Sequence, residues 1–235
     1  MDKIIHGNCL RVLEKIDEPV ACIFADPPDN LNLNYQGYAD NIDKFEYAQL
    51  LARWIALFTQ KSPIVWLSHF RDYLPITLAK RPVNFDWKLI LWRYTFGQNN
   101  ANDFGSGYRP ILRYSAKDAV FYPRNCLVPS ARLNCGDPRA NPDGRVPDDV
   151  WEFSRVCGNF PERRQWHPTQ HPEKLIERII LFSTKENDLV VDPFGGTGTT
   201  LRVCRRLNRR CITVDISRYY CEKMSTETGV PLITV

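Results

Sequence analysis

Several features are scarce in this chain, and each scarcity removes a class of protein. No stretch approaches the run of ~20 apolar residues that a membrane-spanning helix requires. The opening residues, MDKIIHGNCL, hold no apolar core of a secretory leader. The eight cysteines contain no C-x-x-C pair, and several fall inside apolar runs, so neither a disulfide frame nor a zinc knuckle is expected. No internal repeat and no low-complexity tract is present. The expectation is a soluble cytoplasmic protein with reduced core cysteines and no membrane partner.

The chain has 235 residues, 43% of them hydrophobic. That is enough for one full core, read as one domain over 1–235 that carries an insertion. The net charge of +4 is modest but unevenly spread. Residues 81–166 hold 13 Lys and Arg against nine Asp and Glu, the whole surplus, and 11 of the 13 are arginines. Arginine is the better phosphate fork and base-edge reader, so a nucleic-acid partner is favoured over a merely solvated surface.

Short apolar runs alternate with helical patterns, which predicts an α/β sheet with crossovers. Strands are expected at 3–5, 20–25, 63–68, 88–94, 119–123, 189–193 and 210–215. The spacing of Tyr47, Leu51, Trp54, Ile55 and Phe58 predicts a helix over 43–60, opened by a capping box of Asp43 and Glu46. A second helix is expected over 172–183 with Pro172 as its first residue, and a third through TTLRVCRRLN. From 96 to 166 the pattern dissolves into Gly, Pro, Asn, Asp and Arg and reads as long loops.

Two short motifs carry chemistry. LVVDPFGGTGTT is a buried strand, an acid, a tight glycine turn and a helix start, so backbone N–H groups and a close approach are offered to a ligand. A Walker A loop needs a lysine before its Ser/Thr, whereas positions 199 and 200 are both threonine. A dinucleotide turn needs a third glycine where Leu201 stands. Asp215, about 20 residues on, suits a ribose in either NAD or S-adenosylmethionine, so this motif alone leaves both open. The second motif, IFADPPDN, holds Asp26 at a rigid exit from a strand, because Pro27 and Pro28 continue neither helix nor ladder. His167 and His171 have an H-x-x-x-H spacing, but Pro168 and Pro172 prevent one helical face, so no metal is expected.

Taken together, ADPPD near the N-terminus, HPTQHPEKLIERII and DPFGGTGTT in that order resemble the beta group of DNA amino-methyltransferases. IIHGNCLRVL and DDVWEF extend the resemblance over nearly the whole chain. The family implies a Rossmann-like class I methyltransferase fold, circularly permuted. Its sheet would be mostly parallel and seven-stranded with one antiparallel strand, and it would carry a small loop-rich recognition insertion. It also implies S-adenosylmethionine as cofactor, S-adenosylhomocysteine as product and a prokaryotic, phage or plasmid-borne setting, commonly within restriction-modification. The residues implied around the cofactor are Asn8, Cys9, Phe24, Asp26, His167, Thr169, Gln170, Asp192, Phe194, Gly195, Gly196, Thr197, Gly198, Thr199 and Asp215.

The family's chemistry falls to Asp26, Pro27, Pro28 and position 29. An exocyclic amine on adenine or cytosine is a poor nucleophile because its lone pair is delocalised. A carboxylate at Asp26 and the carbonyl of Pro27, accepting its N–H groups, favour a tetrahedral nitrogen. Aspartate before the two prolines leans towards adenine N6, with cytosine N4, or a degenerate DNA-binding member of little activity, as the alternatives. Where the family carries an aromatic that stacks on the flipped base, this chain has Asp29. Tyr35 or Tyr38 is expected to take over the stacking, and Asp29 to read a polar base edge. DNA contacts are expected from Arg93, Arg109, Arg113, Arg139, Arg163 and Arg164, and from Arg124, Arg132, Arg145 and Arg155 in the recognition region. That region is short. It predicts a short recognition sequence, help from a second copy in a homodimer, or single-stranded rather than double-stranded DNA.

Overall fold

The computed structural model describes residues 1–94 and 100–235. The chain opens with β1 (Lys3–His6), α1 (Cys9–Glu14) and β2 (Cys22–Ala25), then a small hairpin of β3 (Asn34–Tyr35) and β4 (Tyr38–Ala39). Next come α2 (Lys44–Lys61), β5 (Ile64–Ser68), α3 (Leu74–Ala79), β6 (Phe85–Arg93) and β7 (Tyr108–Ala116). After α4 (Ala131–Asn134) and β8 (Val150–Glu152) the chain runs through α5 (Glu173–Ser183), β9 (Leu189–Asp192) and α6 (Thr199–Arg206). It closes with β10 (Arg210–Asp215), α7 (Arg218–Thr228) and β11 (Leu232–Thr234).

One sheet of nine strands, ordered β11-β1-β10-β9-β2-β5-β7-β6-β8, forms the frame. β7 runs antiparallel to both its neighbours and every other pairing is parallel. The single antiparallel strand matches the expectation, but the count is nine rather than seven. The short strands β8 and β11 extend the sheet at its two edges, and neither is long enough to leave a periodic signal.

Successive strand residues point to opposite faces, so a strand buried on both sides feeds two cores. Ile23 and Ala25 of β2 join the core under α1 and α2, with Leu13, Leu51 and Phe58. Cys22 and Phe24 of the same strand join the other, with Ile176 and Ile179 of α5 and Leu201 of α6. The result is helices on both faces of the sheet, the layering expected of alternating β and α elements.

α2 follows its sequence pattern: Tyr47, Leu51, Trp54, Ile55 and Phe58 are all buried. Asp43 caps it, accepting from the N–H groups of Phe45 at 2.8 Å and Glu46 at 3.2 Å. Pro172 is the cap preceding α5 rather than its first helical residue, with ψ of 138°. The expected strand over 119–123 does not form. Phe121 instead packs on Phe182, and Tyr122 N–H donates to the Phe182 carbonyl at 2.8 Å, so that run lies half-buried against α5 without laddering, with Val120 exposed. The strand lies earlier, in β7, inside a stretch whose Pro and Arg content reads as loop. Residues 96–99 of that expected loop lie outside the described residues. Among the described residues no helix is long and apolar enough to cross a membrane.

Candidate active site

β2, β5, β9 and β10 are mutually parallel, so their carboxyl ends emerge along one edge of the sheet. Asp26 follows the last residue of β2, Ser68 ends β5, Asp192 ends β9 and Asp215 ends β10. From β9 the chain crosses to β10 on one side, and from β2 it crosses to β5 on the other. The gap between β2 and β9 is therefore a topological switch point, where open α/β sheets bind their ligands. The register Cys22↔Val190 and Ile23↔Val191 brings the twin-proline exit and the glycine turn together from opposite ends of the sequence.

The glycine turn is fixed by its own backbone. Gly195 N–H donates to the Val214 carbonyl at 2.8 Å and Gly198 N–H to the Gly195 carbonyl at 2.7 Å. Gly196 and Gly198 both have positive φ, 50° and 75°, which side-chain-bearing residues rarely adopt. Asp215 is tied to the turn, accepting from Gly196 N–H and Ser217 N–H at 2.8 Å each. Burial pushes the Asp215 carboxyl up to about 6 and that of Asp192 up to about 7.

A cleft of about 1060 Å³, its open mouth included, runs from this turn to Asp26. Asn8, Cys9, Phe24, His167, Thr169, Gln170, Asp192, Phe194, Thr197 and Thr199 all line it. Within that lining, Asn8 caps α1 by accepting from Leu10 N–H at 3.0 Å. The Cys9 thiol is pushed up to about 12 by burial, which leaves it inert. His167 is pushed down to about 4, also by burial, so it is neutral at pH 7, and its Nδ1 lies 2.6 Å from the Thr169 carbonyl. Gln170 spends its amide within the chain, accepting from Arg164 N–H and donating to the Glu162 carbonyl.

At the other end of the cleft the carboxylate of Asp26 is clamped. Arg109 Nη2 donates to its Oδ1 at 2.8 Å, and His171 Nδ1 stands 3.3 Å from its Oδ2. Burial alone would raise the Asp26 carboxyl; His171 and Arg109 together hold it well below the usual carboxylate range. Asp29 is tied into the same cluster by Arg109, at 2.6 and 3.0 Å, and by Phe70 N–H at 2.9 Å. Asp26 keeps 23% of its side chain accessible against 11% for Asp29, so Asp26 is the acid that a ligand can reach. The Pro28 carbonyl accepts from the Tyr47 hydroxyl. Ser68, which accepts from Arg109 Nε at 2.7 Å, and His69, whose Nδ1 lies 3.7 Å from Asp29 Oδ1, carry no signal in the sequence. His171 stands out there only as half of an H-x-x-x-H spacing that the prolines speak against as a metal pair.

A model of the DNA methylase family that acts on N6 and N4 amino groups matches residues 20–227. The DNA adenine methyltransferase YhdJ of Escherichia coli (strain K12) is 34% identical over 92% of this chain and 79% of its own. The type II methyltransferase M.HpaI of Haemophilus parainfluenzae is 31% identical over 94% of this chain and 72% of its own. The chain belongs to the DNA methylase family. Among solved structures, the cytosine-N4-specific PvuII DNA methyltransferase superposes with a TM-score of 0.73 at 17% identity, covering 96% of this chain and 85% of that one. The M1.HpyAVI–SAM complex superposes with a TM-score of 0.67 at 21% identity, covering 98% and 100%. At these identities the superpositions speak for the class I methyltransferase fold.

Other candidate residues of the methylase fall in unexpected surroundings. Tyr35 and Tyr38, on the β3–β4 hairpin, line the cleft beside the glycine turn, and the Tyr35 ring is 5.7 Å from that of His167. At the base of the hairpin Asp40 gathers the N–H groups of Asn30, Leu31 and Leu33, and Gln36 N–H at its turn donates to the Tyr220 hydroxyl. Arg113 is not on a DNA-facing surface. Its guanidinium lies 4.4 Å from the Phe121 ring and also faces Trp66 and Phe182, inside the second core. Arg93 pairs with Glu152, Arg139 with Asp137, Arg145 with Asp148 and Arg164 with Glu227. Arg163 donates to the Pro168 carbonyl. Of the acids paired with arginines of residues 81–166, Glu227, Asp26 and Asp29 come from outside that segment, so part of its net surplus is met elsewhere in the fold. Among the described residues no cluster of three His, Cys, Asp or Glu side chains is placed to hold a metal ion.

The raised carboxyl of Asp215 makes a pH prediction for the methylase. With a free-state pKa of about 6, a ligand whose hydroxyls donate to the carboxylate must compete with a proton below pH 6. Affinity for S-adenosylhomocysteine is expected to fall about tenfold from pH 7 to pH 5. Titration calorimetry across that range checks it, and Asp215→Asn should flatten the dependence while weakening binding throughout.

Proposed function

We propose that this methylase moves the methyl group of S-adenosylmethionine to the exocyclic amino group of a base in DNA, adenine N6 in preference to cytosine N4. The observation that carries the reading is that the Asp26 carboxylate opens into the same cleft as the glycine turn and Asp215. When bound, S-adenosylmethionine supplies an electrophilic methyl on a cationic sulfur. The cleft suits such a molecule. Leu50, Trp54 and Phe194 give it apolar walls, and Asp215 is a buried acceptor for hydroxyls. The Tyr38 hydroxyl is buried with no partner among the described residues. We assign Tyr35 and Tyr38 to covering this ligand rather than to stacking on the base.

Asp26 accepts a hydrogen bond from the amino group, which turns the nitrogen lone pair towards reaction. Because Arg109 and His171 hold Asp26 charged, it serves as a fixed acceptor, and the proton shed by the product amine passes to solvent. The Pro27 carbonyl is assigned as the second acceptor on the resemblance, while that of Pro28 accepts from the Tyr47 hydroxyl. Aspartate at position 26 and the 34% identity to an enzyme named a DNA adenine methyltransferase support adenine. Arg124, Arg132, Arg155 and Arg163, which lack a carboxylate partner among the described residues, are assigned to the DNA backbone.

The test is to incubate the chain with methyl-labelled cofactor and unmethylated genomic DNA, double- and single-stranded, then digest to nucleosides. Label in N6-methyl-2′-deoxyadenosine is expected, with DNA binding that weakens steeply as salt rises. Label in N4-methyl-2′-deoxycytidine would move the target to cytosine. Tight cofactor binding with no label in either form of DNA would overturn the activity.

A further inference from the structure

We propose that Asp29 and Arg109 act as one unit whose task is to position Asp26, and that Asp29 does not read the base. The inference rests on Asp26 being the amine acceptor. Arg109 makes four donations to three side chains: Nε to Ser68 Oγ at 2.7 Å, Nη1 and Nη2 to the two oxygens of Asp29, and Nη2 to Asp26 Oδ1. A guanidinium is a planar fork, so a bidentate grip by one carboxylate fixes the direction of its remaining N–H groups. Asp29 supplies that grip. It is in turn held by Phe70 N–H, two residues past the end of β5, so three of its acceptor positions are taken before any base arrives.

The links close into a ring. Ser68 Oγ lies 3.0 Å from His171 Nε2, and His171 Nδ1 reaches back to the second oxygen of Asp26. Asp26 is thereby held at both oxygens, from β7 and from the segment before α5, and each oxygen keeps one acceptor position for the amine.

Charge explains why Asp29 and Arg109 occur together. The resembled family has a neutral aromatic at position 29. A lone aspartate there would set two carboxylates side by side, and a lone arginine at position 109 would cancel Asp26. Together they cancel each other and leave the charge presented by Asp26 and His171 unchanged. The departure at position 29 is thus matched by a residue 80 positions away.

A double-mutant cycle separates positioning from stability. Arg109→Met leaves two buried carboxylates side by side and should lower Tm by about 10 °C, whereas Asp29→Leu, which leaves Arg109 with Asp26 as its one acidic partner, should lower it by less. The double variant should recover most of that Tm and bind S-adenosylhomocysteine within about twofold of wild type, since neither residue lines the cofactor cleft. Its single-turnover methyl transfer at saturating DNA should nevertheless stay about 10²-fold down with KM little changed, the cost of a displaced acceptor. Recovery of both Tm and rate would overturn the proposal, leaving the pair a structural salt bridge. Should the double variant fail to fold, Arg109→Lys decides: it keeps the charge without the fork, so a wild-type rate sinks the idea and a tenfold or greater loss upholds it. If wild-type protein labels no DNA, the functional reading fails instead, and additive rather than coupled Tm losses still refute the Asp29–Arg109 unit.

Discussion

Asp26→Ala is expected to lower single-turnover methyl transfer about 10³-fold while leaving S-adenosylhomocysteine affinity within a few-fold. The asymmetry follows from where the carboxylate sits. The glycine turn, Asp215 and the apolar walls assigned to the nucleoside of the cofactor are built on β9, β10, α1 and α2, and none depends on Asp26 for its hydrogen bonds. What the variant loses is the acceptor for the amine. Asp26→Asn keeps one acceptor oxygen, but that oxygen goes to Arg109 and its amide faces His171, so a loss of about 10²-fold is expected rather than rescue. Quenched-flow measurement with labelled cofactor, at saturating DNA, gives the rate, and calorimetry gives the affinity. A loss below tenfold in the alanine variant would remove Asp26 from the reaction. Stability should move little, because Arg109 remains gripped by Asp29.

The cofactor half of the site is plain in the sequence because it is local. A strand, an acid, a glycine turn and a helix start occupy twelve consecutive residues, and backbone geometry obliges them to be what they are. The switch point is less local but still readable, since only one arrangement sets two parallel strand ends side by side with crossovers leaving in opposite directions. The clamp on Asp26 is not readable. It gathers residues from the ends of β2 and β5, the start of β7 and the segment before α5. No spacing links position 29 to position 109.

β7 was obscured for a specific reason. Pro110 lies inside it, and proline speaks against a central strand. Pro110 sits where β5 has already ended: its carbonyl meets His69 N–H just past Ser68, so its missing donor faces the end of a strand rather than a ladder. Arg109 is carried to Asp26 by that strand. A segment read as a DNA-facing loop in fact supplies the arginine that clamps Asp26. The net charge of residues 81–166 misled in a related way, since it cannot show that Arg109 and Arg164 meet acids from outside that segment.

Gly195→Ala is expected to weaken cofactor binding on the order of 10²-fold and to lower Tm by roughly 3–10 °C. Its φ is ordinary, so the cause is space rather than backbone strain. A Cβ at position 195 would stand 2.4 Å from Thr213 Oγ1 and 3.0 Å from Met224 Cε. Thr213 is fully buried on β10 between β9 and β1, and its branched side chain has few alternative rotamers. Met224 can give; Thr213 cannot. The turn itself must therefore shift, against the bond from Gly195 N–H to Val214, and it takes with it the neighbouring Gly196 N–H that orients Asp215. The rescue follows from the same contact. Thr213→Ala removes the obstructing hydroxyl, which has no partner among the described residues to lose. Gly195→Ala with Thr213→Ala should regain most of the affinity, read by calorimetry alongside thermal denaturation. Unchanged binding in Gly195→Ala alone would mean that the turn can move without harm, and the seat of the cofactor would have to be sought elsewhere on the sheet edge.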